Sequence, residues 1–147
     1  MKDKVAALLD QQVQCVLATQ GEPELGLHLM AYAFSKDLDQ IYIASHSHTR
    51  KVKNMRASSH VTLLWDNRTG NNTDHTQGLA ISAFGDASEL GGQSAIEVAK
   101  LLGERNTTLE KLLSANNAVV FAINIDRYQW VEGYSEVIIY RPVKSAG

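Results

Sequence analysis

The chain predicts a mainly β fold of the α+β class, an antiparallel barrel of six to seven strands with flanking helices. Three observations lead there. Short β-branched and aromatic runs follow one another through tight turns in the first half, the pattern of an antiparallel meander. Regular strand–helix–strand alternation and a glycine-rich dinucleotide turn are both missing, which argues against a doubly wound parallel sheet. The 147 residues carry no internal repeat, so one domain over 1–147 is expected, large enough for a substantial core.

Val5, Leu8, Leu9 and Val13 share one helical face and predict a short amphipathic helix at the start. Val16 to Thr19 reads as a strand. Gln20-Gly21-Glu22-Pro23 is a turn in which Gly supplies positive φ and Pro fixes its own. Leu25 to Phe34 alternates loosely and forms the second strand of a hairpin. Ser35 to Asp39 turns the chain into Ile41-Tyr42-Ile43-Ala44-Ser45, a buried strand. A hydroxyl-rich turn follows and opens a short basic helix, capped by Thr49 or Ser47, with Val52 and Met55 as its apolar stripe. Val61 to Trp65 is the fourth strand.

Asp66 to Gln77 is a polar loop of a length that is usually functional or mobile. Leu79 to Gly85 is the fifth strand, with Gly85 marking a bulge. Ser94 to Leu102 has helical spacing, and Leu109, Leu112 and Leu113 suggest a further turn or two. Ala118 to Ile125 is a long strand that Tyr128 to Val131 continues. Val137 to Tyr140 is the last.

A formal net charge of −2 argues against a general nucleic-acid or membrane-surface binder. Cys15 is the single cysteine, so an internal disulfide and a cysteine zinc site are both excluded. The apolar run Val5 to Leu9 is stopped by Asp10, too short for a secretory signal, and nothing later approaches a membrane span. A cytoplasmic location is expected, where the three Asn-x-Thr triplets carry no meaning.

Against the acidic background, Arg50, Lys51, Lys53 and Arg56 stand within seven residues that contain no acid. The first amides of a helix lack internal partners and its dipole makes that end positive. Ser45, Ser47 and Thr49 add hydroxyl donors, and arginine grips phosphate through two parallel bonds. One reading is an anion site for a small phosphate-bearing ligand. The other is a solvated basic helix, which most charge runs are.

The order strand, Gly-x-Pro turn, strand, strand, Thr-Arg-Lys helix, strand, from about Val16 through Ala87, resembles the FMN-binding split-barrel family related to pyridoxamine 5'-phosphate oxidase. The resemblance implies an antiparallel split β-barrel that pairs as a homodimer, with FMN in the groove between subunits. It implies that Thr49, Arg50 and Lys51 hold the phosphate. Ala44 and Ser45 would line the flavin, as would main-chain groups around Met30 and Ala31. Asn67 and Arg68, then Thr76 and Gln77, are further flavin-contact candidates. Two departures matter: Leu27 to Tyr32 carries no arginine, and Arg127-Tyr128-Gln129-Trp130 lacks the histidine that grips a substrate phosphate in the vitamin-processing members. Pyridoxine phosphate is therefore not the expected substrate.

The expected function is an FMN-dependent oxidoreductase acting on an unidentified small molecule. His48-Thr49-Arg50 is also similar to a segment of heme-utilisation split barrels, and Val131-Glu132-Gly133-Tyr134 echoes a turn near their ends. Heme handling is thus the alternative, with non-catalytic flavin binding a third reading.

No side chain stands out as an acid or base, and no catalytic residue is assigned. His28, His46, His48, His60 and His75 show no metal spacing; His46 and His48 cluster if their turn folds tightly, with a hydrogen-bonding role in the anion site expected rather than metal ligation. His28 is expected to be a satisfied barrel histidine, and Cys15 a small buried apolar residue. Trp65 and Trp130 are expected in the core or at a dimer surface. Tyr128, Trp130, Tyr134 and Tyr140 fit an apolar dimer surface and a barrel wall equally well.

Overall fold

A computed structural model describes residues 1–145. Helix α1 (Lys2–Gln11) leads into β1 (Gln14–Thr19), β2 (Gly26–Ala31), β3 (Ala33–Phe34) and β4 (Gln40–His46). Helix α2 (Arg50–Ala57) precedes β5 (His60–Asp66), the short α3 (Asp74–Gln77) and β6 (Leu79–Glu89). Then come α4 (Gly92–Arg105), a 3-10 turn (Thr107–Leu109), α5 (Glu110–Leu113), β7 (Ala118–Glu132) and β8 (Glu136–Tyr140). The strands form one antiparallel sheet in the order β2-β1-β5-β6-β7-β4-β3, with β8 also on β7. The sheet curls into a half-barrel with flanking helices.

The 15-residue β7 is the spine. Its first half pairs with β4, from Ala118 opposite His46 to Asn124 opposite Gln40. Its second half pairs with β8, while β6 runs along its other side. No ladder joins β2 to β3 or β4 among the described residues, although β2 and β4 lie side by side. The expected meander of the first strands is therefore not formed: β4 pairs with the distant β7 instead of β2, and the barrel has an open seam between β2 and β4.

Inside the curl, α1 contributes Val5, Leu8 and Leu9 to a core shared with Leu17, Ile43, Leu63 and Phe121. Trp65, Tyr128 and Trp130 are buried there too, whereas Tyr134 is exposed. On the outer face, Tyr42, Ala44, Val120 and Ala122 pack against Val98 and Leu102 of α4. Strand β4 is thus covered on both sides, which is why it reads as a continuous apolar run rather than an alternating one.

The structure changes several expectations. Eight strands form rather than seven, because the stretch 25–34 is divided at Tyr32. That ring is fully buried, and its hydroxyl donates to the Leu9 and Gln12 carbonyls, tying the strand to the end of α1. Val13 lies outside α1 and is exposed, since the helix ends at Gln11. The polar loop is not wholly irregular: Asp74 accepts from the Thr69 and Gly70 amides and opens α3.

Gly21 is not at positive φ. Its lack of a side chain is needed because a Cβ there would lie 2.8 Å from Asn54 Nδ2 and 2.8 Å from the Glu24 carbonyl oxygen. At Gly85 the expected bulge is present, with the register shifting between Phe84 and Gly85. The strand continues through it to Glu89 rather than stopping.

Candidate functional site

A groove of about 390 Å³ occupies the seam. Strand β2 supplies Leu29, Met30 and Ala31 to its wall, and β4 supplies Ala44, Ser45 and His46. Thr49 and Lys51 close one end from the start of α2, and Asn106, Thr108, Leu109 and Leu112 form the facing wall. The lining residues include no aspartate or glutamate. In a chain of net charge −2, that leaves Lys51 with no acidic partner in the groove.

The head of the groove is built by α2. Val52 and Met55 are buried in the barrel core and anchor the helix, so Thr49 becomes its N-cap at the groove. The Thr49 hydroxyl donates to the His46 carbonyl at 3.0 Å. Its one proton is therefore used, and Ser45 Oγ, 2.9 Å away, is the donor between the two hydroxyls. No side chain caps the first turn of α2, which leaves its leading amides available to an anion.

Six candidate residues meet in this groove: Met30, Ala31, Ala44, Ser45, Thr49 and Lys51. Arg50 turns the other way. Its guanidinium reaches the Glu24 carboxylate at 3.5 Å and the Glu24 carbonyl at 3.3 Å. It lines a second groove of about 670 Å³ with Glu22, His48, Thr49 and Lys53. Thr49 thus stands between two grooves, with Lys51 facing one and Arg50 the other. The fourth cation, Arg56, is held by Glu89 at 2.7 Å.

Asn67 and Arg68 lie in a third, smaller groove beside Val131, Gly133 and Tyr134. Asn67 donates to the Gln77 carbonyl at 3.1 Å and accepts from the Leu79 amide at 2.8 Å, pinning the two ends of the polar loop. Arg68 pairs with Asp66 at 2.6 Å. Thr76 and Gln77 sit on α3 and line neither of the larger grooves.

His28 is half-buried beneath the site. Asn54 Nδ2 donates to Thr19 Oγ1 at 3.0 Å, and Thr19 Oγ1 lies 3.2 Å from His28 Nε2. The Thr19 proton is free to point at that nitrogen, which makes the ring a neutral acceptor. Burial, then the nearby Lys51 and Arg50 charges, hold His28 below the usual imidazole range. Burial pushes the Cys15 thiol up to about 12, so it is no nucleophile.

His46 and His48 do cluster, with rings stacked at 5.7 Å. Asn117 joins them through bonds of 2.9 Å to His46 Nδ1 and 3.2 Å to His48 Nδ1. Sequence reasoning did not find Asn117, which is about seventy residues from either ring and bears no local motif. It also missed the wall from Asn106 to Leu112, whose residues read as ordinary helix and cap positions.

The likeness in fold to solved structures is broad. A heme binding protein from Mycobacterium smegmatis matches at TM-score 0.76 and 12% identity, over 92% of this chain and 57% of that one. Campylobacter jejuni ChuZ matches at TM-score 0.78 and 9% identity, over 95% and 58%. General Stress Protein 26 from Bacillus anthracis matches at TM-score 0.71 and 19% identity, over 95% and 97%. The chain thus spans little more than half of the first two. Comparison with curated proteins gives no match. The family model described as pyridoxamine 5'-phosphate oxidase matches residues 1–131 of the 147. With the barrel order and the seam beside α2 already in place, that match makes the chain a member of the pyridoxamine 5'-phosphate oxidase family.

Proposed function

We propose that the seam groove binds FMN, with the phosphate at the head of α2, and that the chain is a homodimeric, cytoplasmic flavin-dependent oxidoreductase with one FMN-binding domain. The observation that carries this reading is the acid-free lining of the groove, with Lys51 and the uncapped amides of α2 at one end. That donor set suits a phosphate monoester. FMN, when bound, supplies the hydride and electron transfer. Lys51 and the first amides of α2 bind the phosphate, and the Ser45–Thr49–His46 hydrogen bonds hold the turn that presents them. Met30, Ala31 and Ala44 offer main-chain groups and a small apolar wall to the ring.

The substrate is a small molecule other than pyridoxine phosphate. Strand β2 offers leucines where a substrate-binding arginine would be needed, and Arg127 lies over the Phe84 ring at 4.2 Å, outside the groove. Dimerisation is supported by Leu27 and Leu29 of β2 and by Leu25 just before it, which are 73%, 68% and 70% exposed, Leu29 lining the groove itself. Asn67, Arg68, Thr76 and Gln77 would join this groove only across such a dimer.

Purified protein should be yellow, or become so on addition of FMN, and its absorbance should bleach on reduction. A colourless protein that takes up no FMN would end this reading. Heme binding is the second reading, suggested by the similar fold of the heme binding protein from Mycobacterium smegmatis. A Soret band that His48→Ala abolishes would replace the flavin reading with this one. Stable FMN binding without turnover of any substrate would leave a non-catalytic flavin carrier.

A further inference from the structure

His46 lines the same groove as Lys51, yet no role falls to it in the FMN reading above. Its ring is fixed by Asn117, and the chemistry of that amide decides where the protons lie. Asn117 Oδ1 can only accept, so the His46 proton sits on Nδ1. Asn117 Nδ2 can only donate, so His48 Nδ1 is bare and its proton sits on Nε2. The two rings are therefore not equivalent. His46 can take a second proton on Nε2 and keep its bond to Asn117. His48 cannot, because a protonated Nδ1 would face the Asn117 N–H. Two cationic rings stacked at 5.7 Å would also repel each other.

We propose that His46 is a further phosphate-contacting residue of the seam groove, and that Asn117 is its positioning residue. The inference rests on the FMN reading and deepens it. Asn117 leaves Nε2 as the one free nitrogen of the ring, available as a donor to phosphate when protonated. Lys51 is the other charged group lining the groove. Beyond Thr49, the second groove holds His48, Arg50, Lys53 and Glu22, with Glu24 on Arg50. The residues that β2 and the α4–α5 connection bring to the groove wall are uncharged. His46 thus stands beside Lys51 as a second lining residue of the groove that can carry charge.

The test is a titration of the full chain with FMN at pH 6.5 and pH 8, with riboflavin as the phosphate-free probe. His46→Gln is expected to weaken FMN binding roughly ten-fold at pH 6.5, the scale of one charge-assisted hydrogen bond, and less at pH 8. Riboflavin affinity should not change, which also reports that the variant is folded. Asn117→Ala should flatten the pH dependence in the same direction, while His48→Gln should preserve it. Unchanged FMN affinity and pH dependence in His46→Gln would overturn the inference. So would an effect that follows His48→Gln instead, or an equal loss of FMN and riboflavin. Those outcomes leave native FMN binding intact; a native chain that binds neither flavin overturns the FMN reading and this inference with it.

Discussion

At the scale of single residues, the cations of α2 do not share one environment, and this sets what each substitution does. Lys51 faces the seam groove without an acidic neighbour there. Lys51→Ala should weaken FMN binding by about 1–3 kcal/mol at unchanged thermal stability, as measured by flavin titration and a melting curve. Arg50 must first leave Glu24, but that ion pair is exposed and 3.5 Å long, so it resists little. Arg50→Ala should therefore also weaken FMN binding, by less than Lys51→Ala does. Equal affinity in all three proteins would remove α2 from the phosphate site.

His28 gives a pH prediction. Its folded pKa is lowered, so its contribution to stability is complete above the unfolded value near 6.5. Below that pH the unfolded chain takes up the proton first, and stability falls toward the folded value. The urea midpoint of the native chain should drop between pH 7.5 and pH 5.5, and by less in His28→Gln. Parallel drops would show that the Asn54–Thr19–His28 chain does not hold the ring neutral.

At the scale of elements, α2 heads the groove, and a bulge shifts the register of β6. Met55 is buried, and Met55→Ala should destabilise by about 2–5 kcal/mol. Because the helix then loses its anchor, FMN affinity should fall along with the melting temperature, unlike in Lys51→Ala. Gly85 lets β6 bend: a Cβ there would sit 2.3 Å from the Asn124 carbonyl oxygen, a backbone atom that cannot step aside. Gly85→Ala should destabilise by about 2–4 kcal/mol in denaturant unfolding. An Ala variant of native stability would mean that the close approach is not needed. Both elements were legible in part. The stripe of Val52 and Met55 located α2, and the lone glycine in an apolar run located the bulge. The helix α3 was not, since it starts from an aspartate that binds amides four and five residues back, and no apolar periodicity marks it.

At the scale of the molecule, an open seam and an exposed leucine stripe lie together. Leu27→Glu with Leu29→Glu should leave the folded chain near native stability, because both side chains are exposed. On the dimer reading, light scattering should then give a monomer, with FMN affinity lost together with the partner. A native chain that is already monomeric while binding FMN would refute the shared groove. The sequence by itself determined the mainly β class, the buried face of α2, the Thr49–Lys51 turn and the family resemblance. These are carried by local periodicity, capping chemistry and contiguous motifs. Only the tertiary structure decided that Arg50 and Lys51 part to opposite sides of Thr49, that Asn67 is occupied within its own loop, and that Asn117 sits between two histidines. Those facts depend on which backbone segments the curled sheet brings side by side, and residues about seventy positions apart leave no shared trace in a linear pattern.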